Sequence, residues 1–291
     1  MLLSHEKWLP KLTKLIEKLE ACKVHCEIRV TGSENRFEAK EMVGEAWKEV
    51  LGLSDGTETS DTLYLTDSAE IVHGLCRVDL PVLAYLHEEN RGKDFSAAKY
   101  ACEEPGELEP EYLERVYRRF KGMPWNILET KRCLVRESVE EDAEAFLQIY
   151  AEPSITKYME TLQESRVGER AYIREYIENM YRYYEFGIWT VVWKESGEVI
   201  GRAGFSLREG STLPELGYVI GVPWQRQGLA KEVCQGILEY AEAELGFEEV
   251  QVLIRPGNEA SVCLAEQLGF VKQKGIDKFY ENYMIFVRSK Q

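Results

Sequence analysis

Residues 215–230, ELGYVIGVPWQRQGLA, constrain the fold of this chain more than any other stretch. The segment reads as a strand ending at Ile220, a turn through Pro223 and Trp224, and a helix opening near Gly228. The first turn of such a helix holds backbone N–H groups with no acceptor inside the helix, at the positive end of its dipole. Gly228 lets a ligand approach the backbone closely, and Ala230 adds almost no bulk. A strand–turn–helix corner of this kind suits a diphosphate.

The order of elements divides the chain. Residues 1–131 read as an α/β layer: a helix over 8–22, a short strand over 27–30 and a helix over 37–51, with a polar loop over 52–59. Strand-like runs follow at 63–66, 81–86 and 100–102, interleaved with helices over 68–76 and 108–120. Residues 121–131, with Gly122 and Pro124, read as a linker. From Arg132 the order changes to strand, two helices and three antiparallel strands, the second helix spanning 169–184. A strand–helix unit and closing strands over 270–272 and 279–287 complete it, so 132–291 is predicted to be an α+β domain with a mixed sheet.

Charge narrows the function. Basic residues number 36 against 51 acidic ones, a formal net charge of -15, which repels phosphate backbones and argues against nucleic acid as a partner. The longest apolar runs are strand-length, so no membrane partner is expected. Seven scattered cysteines suggest reduced thiols and a cytoplasmic setting. Cys22, His25 and Cys26 lie close together, but no second ligand pair follows, and no metal site is expected.

The spacing Gln225-x-x-Gly228-x-Ala230 resembles the pyrophosphate loop of the GCN5-related N-acetyltransferase (GNAT) superfamily. Glu215-Leu-Gly-Tyr upstream, then Asn258-Glu-Ala-Ser261 and Leu268-Gly269-Phe270 downstream, extend the likeness over about the last 160 residues. The flavour is closest to the enzymes that acetylate ribosomal-protein N-termini. The resemblance implies acetyl-CoA as acyl donor and a primary amine of a small molecule or protein N-terminus as acceptor. It implies that amides from Arg226 through Gln227, Gly228, Leu229 and Ala230 hold the diphosphate, with Gln225 in the same loop and Arg226 and Lys231 adding charge. The pantetheine arm would run along Tyr218, Val219, Ile220 and Val222 to Asn258 and Ser261, both of which also suit a helix cap.

Transfer to an amine requires removal of an ammonium proton, and Glu215 is the candidate base. Many relatives carry a tyrosine four residues before the Leu-Gly-Phe glycine, where it protonates the leaving thiolate; here that position is Ala265. Tyr280 and Tyr283 on the last strands either substitute for it or simply pack, and water is the alternative proton source, so the general acid stays open. The departure keeps a second reading open, an acetyl-CoA-binding regulatory protein with little or no turnover. The acceptor pocket is expected beside residues 169–186, where Tyr172, Tyr176, Tyr181, Tyr183, Tyr184 and Phe186 crowd together and Glu175, Glu178 and Glu185 add charge.

In the first half, Leu63 to Ser68 followed by Val78 to Tyr85 resembles one corner of the haloacid-dehalogenase-like phosphatase fold; a Rossmann-like layer fits the same pattern. That chemistry needs an Asp-x-Asp pair, and Asp67 is followed at 69 by alanine. The half is therefore expected to be a catalytically silent accessory domain. Ligand binding, acceptor recognition and self-association as a homodimer are the roles open to it.

Overall fold

The computed structural model describes residues 1–26, 29–30, 62–159, 162–163, 165–208, 210–273 and 282–290. The expected helix over 37–51, the loop over 52–59 and Tyr280 lie outside the described residues. Contacts gather into two compact units, Met1–Met123 and Pro124–Gln291.

Unit 1 is a parallel sheet. Its strands are β1 (Leu2–Leu3), β2 (Arg29–Val30), β3 (Tyr64–Thr66), β4 (Val82–Tyr85) and β5 (Tyr100–Cys102), in the order β2-β1-β3-β4-β5. Neighbouring residues on a strand point to opposite faces. Leu3, Leu65 and Leu83 therefore meet helices α1 (Leu9–Ala21) and α3 (Pro110–Phe120), whereas Leu2, Tyr64 and Val82 meet α2 (Ala69–Arg77). Burial on both faces explains the continuous apolar runs. The two-residue strand β1 was not anticipated, because two residues carry no periodicity. The strand order reverses between β1 and β3, where open parallel sheets leave a crevice at the strand ends.

Unit 2 is a mixed eight-stranded sheet in the order β12-β13-β11-β10-β9-β8-β7-β6. The strands are β6 (Asn126–Glu129), β7 (Cys133–Arg136), β8 (Ile188–Trp193), β9 (Val199–Ser206), β10 (Glu215–Ile220), β11 (Glu249–Ile254), β12 (Val271–Lys272) and β13 (Met284–Ser289). Only β10 and β11 run parallel; the other neighbours are antiparallel. The stretch read as a linker thus contains an edge strand, β6, whose Ile127 and Leu128 pack on the core. The turn signals at Gly122 and Pro124 mark the start of unit 2 rather than a spacer.

One face of this sheet is covered by α6 (Leu229–Ala243), which buries Leu229, Val233, Ile237 and Ala241 at four-residue spacing, with Cys234 and Leu238 beside them. Each fully buried aliphatic side chain of this kind contributes about 1.5–3 kcal/mol. Helix α7 (Glu259–Gln267) follows β11. The expected helix over 169–184 starts earlier, at Arg166, because the Ser165 hydroxyl accepts from the Gly168 N–H and caps it. This helix, α5 (Arg166–Tyr176), runs into a π turn over Ile177–Tyr181 and packs Ile173 against Phe146 of α4 (Ala143–Tyr150). No helix among the described residues is long and apolar enough to cross a membrane.

Candidate active site

The corner after β10 follows the predicted outline. Residues Val222–Trp224 form one 3-10 turn, Arg226 takes φ +60° and Gly228 takes φ +78°, and α6 begins at Leu229. Two glutamines brace the loop from inside: the Gln225 amide donates to the Ile220 carbonyl (2.8 Å) and the Gln227 amide to the Pro223 carbonyl (3.1 Å). Arg132 holds the far side. It donates to the Gln227 carbonyl (3.0 Å) and to Glu232 (2.7 Å), while Thr130 also donates to Glu232 (2.7 Å). Burial pushes the Glu232 carboxyl up, but the bonds from Thr130 and Arg132 together outweigh it and hold the group below its ordinary range.

None of these bonds uses the backbone N–H groups of residues 226–231; the first amide donated to protein is that of Glu232, to the Gly228 carbonyl (3.0 Å). The turn is exposed, and a Cβ built on Gly228 would meet only the Arg132 guanidinium, at 3.8 Å. Glycine is therefore needed here for the left-handed backbone and for access, not for internal packing. Arg226 and Lys231 point into solvent, and Leu229 anchors the turn in the core.

Beside the corner, β10 and β11 separate. They pair only at Glu215–Gln251, supported by the Gln251 N–H to the Pro214 carbonyl (2.9 Å). On the other side β10 stays paired with β9 from Glu215 to Ile220. The Gly221 N–H donates to the Ile200 carbonyl (2.8 Å), which fixes the alternation. It turns the backbone groups of Leu216, Tyr218 and Ile220 away from β9, toward the gap. The gap belongs to a cleft of about 440 Å³ lined by Gly217, Tyr218, Val219, Leu253, Asn258 and Ser261, among others.

The two faces of the cleft carry different chemistry. On the α7 side, the Asn258 carboxamide accepts from the Ser261 N–H (3.3 Å) and caps the helix. The Tyr218 phenol oxygen is buried and has no hydrogen-bond partner. Ser261 sits beside it without meeting hydrogen-bond geometry. Burial raises the Tyr218 phenol well above its ordinary range, with Ser261 acting in the opposite direction. Ala265 is packed in the core one turn further along α7.

On the opposite face stand Glu215, 8% exposed, and Arg208, which donates to both its oxygens (2.6 and 3.2 Å). Arg202, on β9, lies 3.9 Å from Glu169, whose carboxylate also accepts from the Gln163 N–H (3.2 Å). Of the aromatic group expected here, Tyr172 and Tyr176 line the cleft, whereas Tyr181 and Phe186 are core and Tyr183 and Tyr184 are exposed. The Tyr176 phenol, pushed up to about 12 by burial, accepts from the Ile188 N–H (2.7 Å). Glu175, Glu178 and Glu185 do not line the cleft, and Glu178 pairs with Arg182 (3.1 Å). Tyr283 lines the cleft, and its ring centroid lies 5.3 Å from the Arg208 guanidinium and 5.9 Å from that of Arg255. Sequence reading missed Arg208, Arg202, Glu169 and Arg255. Arg208 could have been found, since the hairpin that sets Ser206 opposite Glu215 brings it alongside.

Residues 132–271 match the family described as Acetyltransferase (GNAT) domain, and unit 2 carries an acetyltransferase domain of that family. The chain is accordingly an N-acetyltransferase that uses acetyl-CoA; the reading as a regulator without turnover is not favoured. It is similar to the uncharacterized N-acetyltransferase p20 of Bacillus licheniformis, 28% identical over 155 residues, covering 53% of this chain and 86% of that one. It is also similar to the uncharacterized N-acetyltransferase YoaA of Bacillus subtilis (strain 168), 29% identical over 164 residues, covering 54% and 89%. Among solved structures, the ribosomal-protein-S5-alanine acetyltransferase from Vibrio fischeri superposes with a TM-score of 0.49 at 16% identity, covering 56% of this chain and 95% of that one.

Proposed function

We propose that unit 2 acetylates a primary amine, of a small molecule or a protein N-terminus, by direct attack on the thioester within the gap between β10 and β11. The observation that carries this reading is the run of undonated amides over 226–231, at a helix start that a diphosphate fits. Acetyl-CoA supplies the activated acyl group. Amides of Arg226 to Lys231 bind its diphosphate, with charge from the Arg226 and Lys231 side chains. The backbone of Tyr218 to Val222 and the side chains of Asn258 and Ser261 receive the pantetheine arm. Gln225 acts indirectly, by holding the Ile220 carbonyl and so the shape of the loop.

Glu215 accepts the ammonium proton. Arg208 occupies two of the roughly four lone-pair positions of its carboxylate, which leaves acceptor capacity facing the cleft. Gly217, between Glu215 and Val219 on the same face, leaves room for the amine. The Tyr218 N–H, turned into the gap, stabilises the negative charge that builds on the carbonyl oxygen. As the carbon–sulfur bond breaks, the Tyr218 phenol gives its proton to sulfur, in place of the tyrosine that Ala265 displaces. A phenol is protonated at neutral pH, and burial raises this one further. The exchange balances as ammonium plus thioester giving amide, thiol and one proton: one nitrogen proton leaves through Glu215 to solvent, and the second, shed as the nitrogen–carbon bond forms, replaces the proton that the Tyr218 phenol gives to sulfur.

All seven cysteines are free thiols, which suits a cytoplasmic setting. Unit 1 is read as a non-catalytic accessory domain, because the carboxylate that follows β3, Asp67, is occupied by Ser4 and His87.

The test is a pair of variants read in two assays, thiol release with an amine panel and acetyl-CoA titration. Glu215→Gln is expected to lower kcat about a hundredfold, and Tyr218→Phe about tenfold or more, each with acetyl-CoA Kd near wild type. A wild-type rate at neutral pH in either variant would remove that residue from the chemistry.

A further inference from the structure

The cleft opposes the charge of the whole protein. Its lining holds three guanidiniums, Arg202, Arg208 and Arg255, against two carboxylates, Glu169 and Glu215, in a chain of net charge -15. Two of the three cations are answered. Arg202 faces Glu169 at 3.9 Å and lies over the Phe146 ring (4.5 Å), and Arg208 is bonded to both oxygens of Glu215. Arg255 has no carboxylate partner among the described residues; its recorded side-chain contact is the face of Tyr283. A half-buried guanidinium presents five donors in a planar fork that matches a carboxylate or phosphate.

The position of Arg255 is equally specific. It follows β11 directly, and alternation from the Glu215–Gln251 pair sets Gln251, Leu253 and Arg255 on the face that carries Glu215. It shares the Tyr283 ring with Arg208 of the Arg208–Glu215 pair, at 5.9 and 5.3 Å from the ring centroid. The turn at 226–231 does not line this cleft, so the diphosphate there leaves Arg255 unanswered.

We infer that the acceptor is an amine bearing an anionic group, carboxylate or phosphate, a few atoms from its nitrogen, with Arg255 receiving the anion. The inference rests on the reading that the Glu215 face takes the acceptor. It favours a free amino acid or an aminoalkyl phosphate over a protein N-terminus, whose carboxylate lies far from the amine.

The experiment uses the full chain at saturating acetyl-CoA and matched pairs of amines: phenylalanine with phenethylamine, leucine with isoamylamine, and O-phosphoethanolamine with ethanolamine. In at least one pair the anionic member is expected to be preferred by about tenfold or more in kcat/KM. The type of pair tells carboxylate from phosphate. Arg255→Gln should bring that ratio to within about twofold of unity through the acceptor KM, Arg255→Lys should restore part of it, and the KM for acetyl-CoA should hold. Preference for the neutral-tailed amine in every pair would overturn the inference. So would an Arg255→Gln variant that keeps the preference and weakens acetyl-CoA instead. If no amine turns over, the catalytic reading falls, and calorimetric titration of the same pairs into CoA-saturated protein still decides. Tighter binding of the anionic member, lost in Arg255→Gln, supports the inference; equal binding of both members ends it.

Discussion

The corner after β3 in unit 1 and the corner after β10 in unit 2 have the same outline. In each, a strand with a parallel neighbour ends, a short polar turn follows, and a helix begins. In unit 1 the turn is filled from within. The Ser68 hydroxyl accepts from the Ile71 N–H (3.4 Å) and donates to Glu70 (2.9 Å), while the Ser68 N–H is taken by Thr66 (3.2 Å). Asp67 is buried and accepts from the Ser4 N–H (2.7 Å), the Ser4 hydroxyl (2.5 Å) and His87 (3.2 Å), whose ring is stacked on Trp8 at 3.8 Å. The Glu70 carboxyl is held below its ordinary range, first by its own backbone amide and further by Ser68. This corner has spent its donors and placed two carboxylates where an anion would sit. In unit 2 the helix starts on a glycine with no capping side chain, its nearest carboxylate, Glu232, is held by Arg132 and Thr130, and six consecutive amides stay undonated. A helix start becomes a ligand site only when the protein withholds its own caps.

Three substitutions test that contrast, in order of expected effect. Gly228→Val forces a β-branched residue into a left-handed conformation and sets a side chain where the ligand approaches. It should weaken acetyl-CoA by at least about a hundredfold, roughly 2.7 kcal/mol, in an equilibrium titration. Wild-type affinity would mean that the open corner is not the diphosphate site. Asp67→Asn in the closed corner sets an amide donor against the Ser4 donors. It should cost about 2 kcal/mol in urea unfolding and leave the acetyl-CoA Kd at the wild-type value. A shift in Kd instead would make the closed corner part of the cofactor site. Ser68→Ala removes a helix cap and should cost about 1 kcal/mol by the same unfolding measurement. A neutral result would show that the Ser68 bonds do not hold the turn.

The open corner was legible in the sequence because its signals are local. Gly221, Pro223 and Gly228 punctuate the segment between strand and helix, and the apolar residues of α6 recur at four-residue spacing. The α+β order of unit 2 was legible for the same reason. The edge strand β6 was hidden by flanking turn residues, and β1 by its length. The acidic residues of 175–185 drew attention as a charge cluster, yet the carboxylate buried in the cleft beside Glu215 is Glu169, at 0% exposure. Helical spacing alone did not reveal it, because its partner, Arg202, stands on β9.

The sequence by itself determined where the chain turns, which faces are apolar and that the helix after Gly228 starts without a capping side chain, since each depends on residues within a few positions of one another. The tertiary structure alone decided that β10 and β11 part after a single paired position, and that the Tyr218 phenol lies unbonded beside Ser261. It also decided that, among the described residues, Arg255 has no carboxylate partner while Arg208 takes Glu215. Those facts are fixed by which distant residues share a cleft, and pairing over such distances is set by packing rather than by local preference.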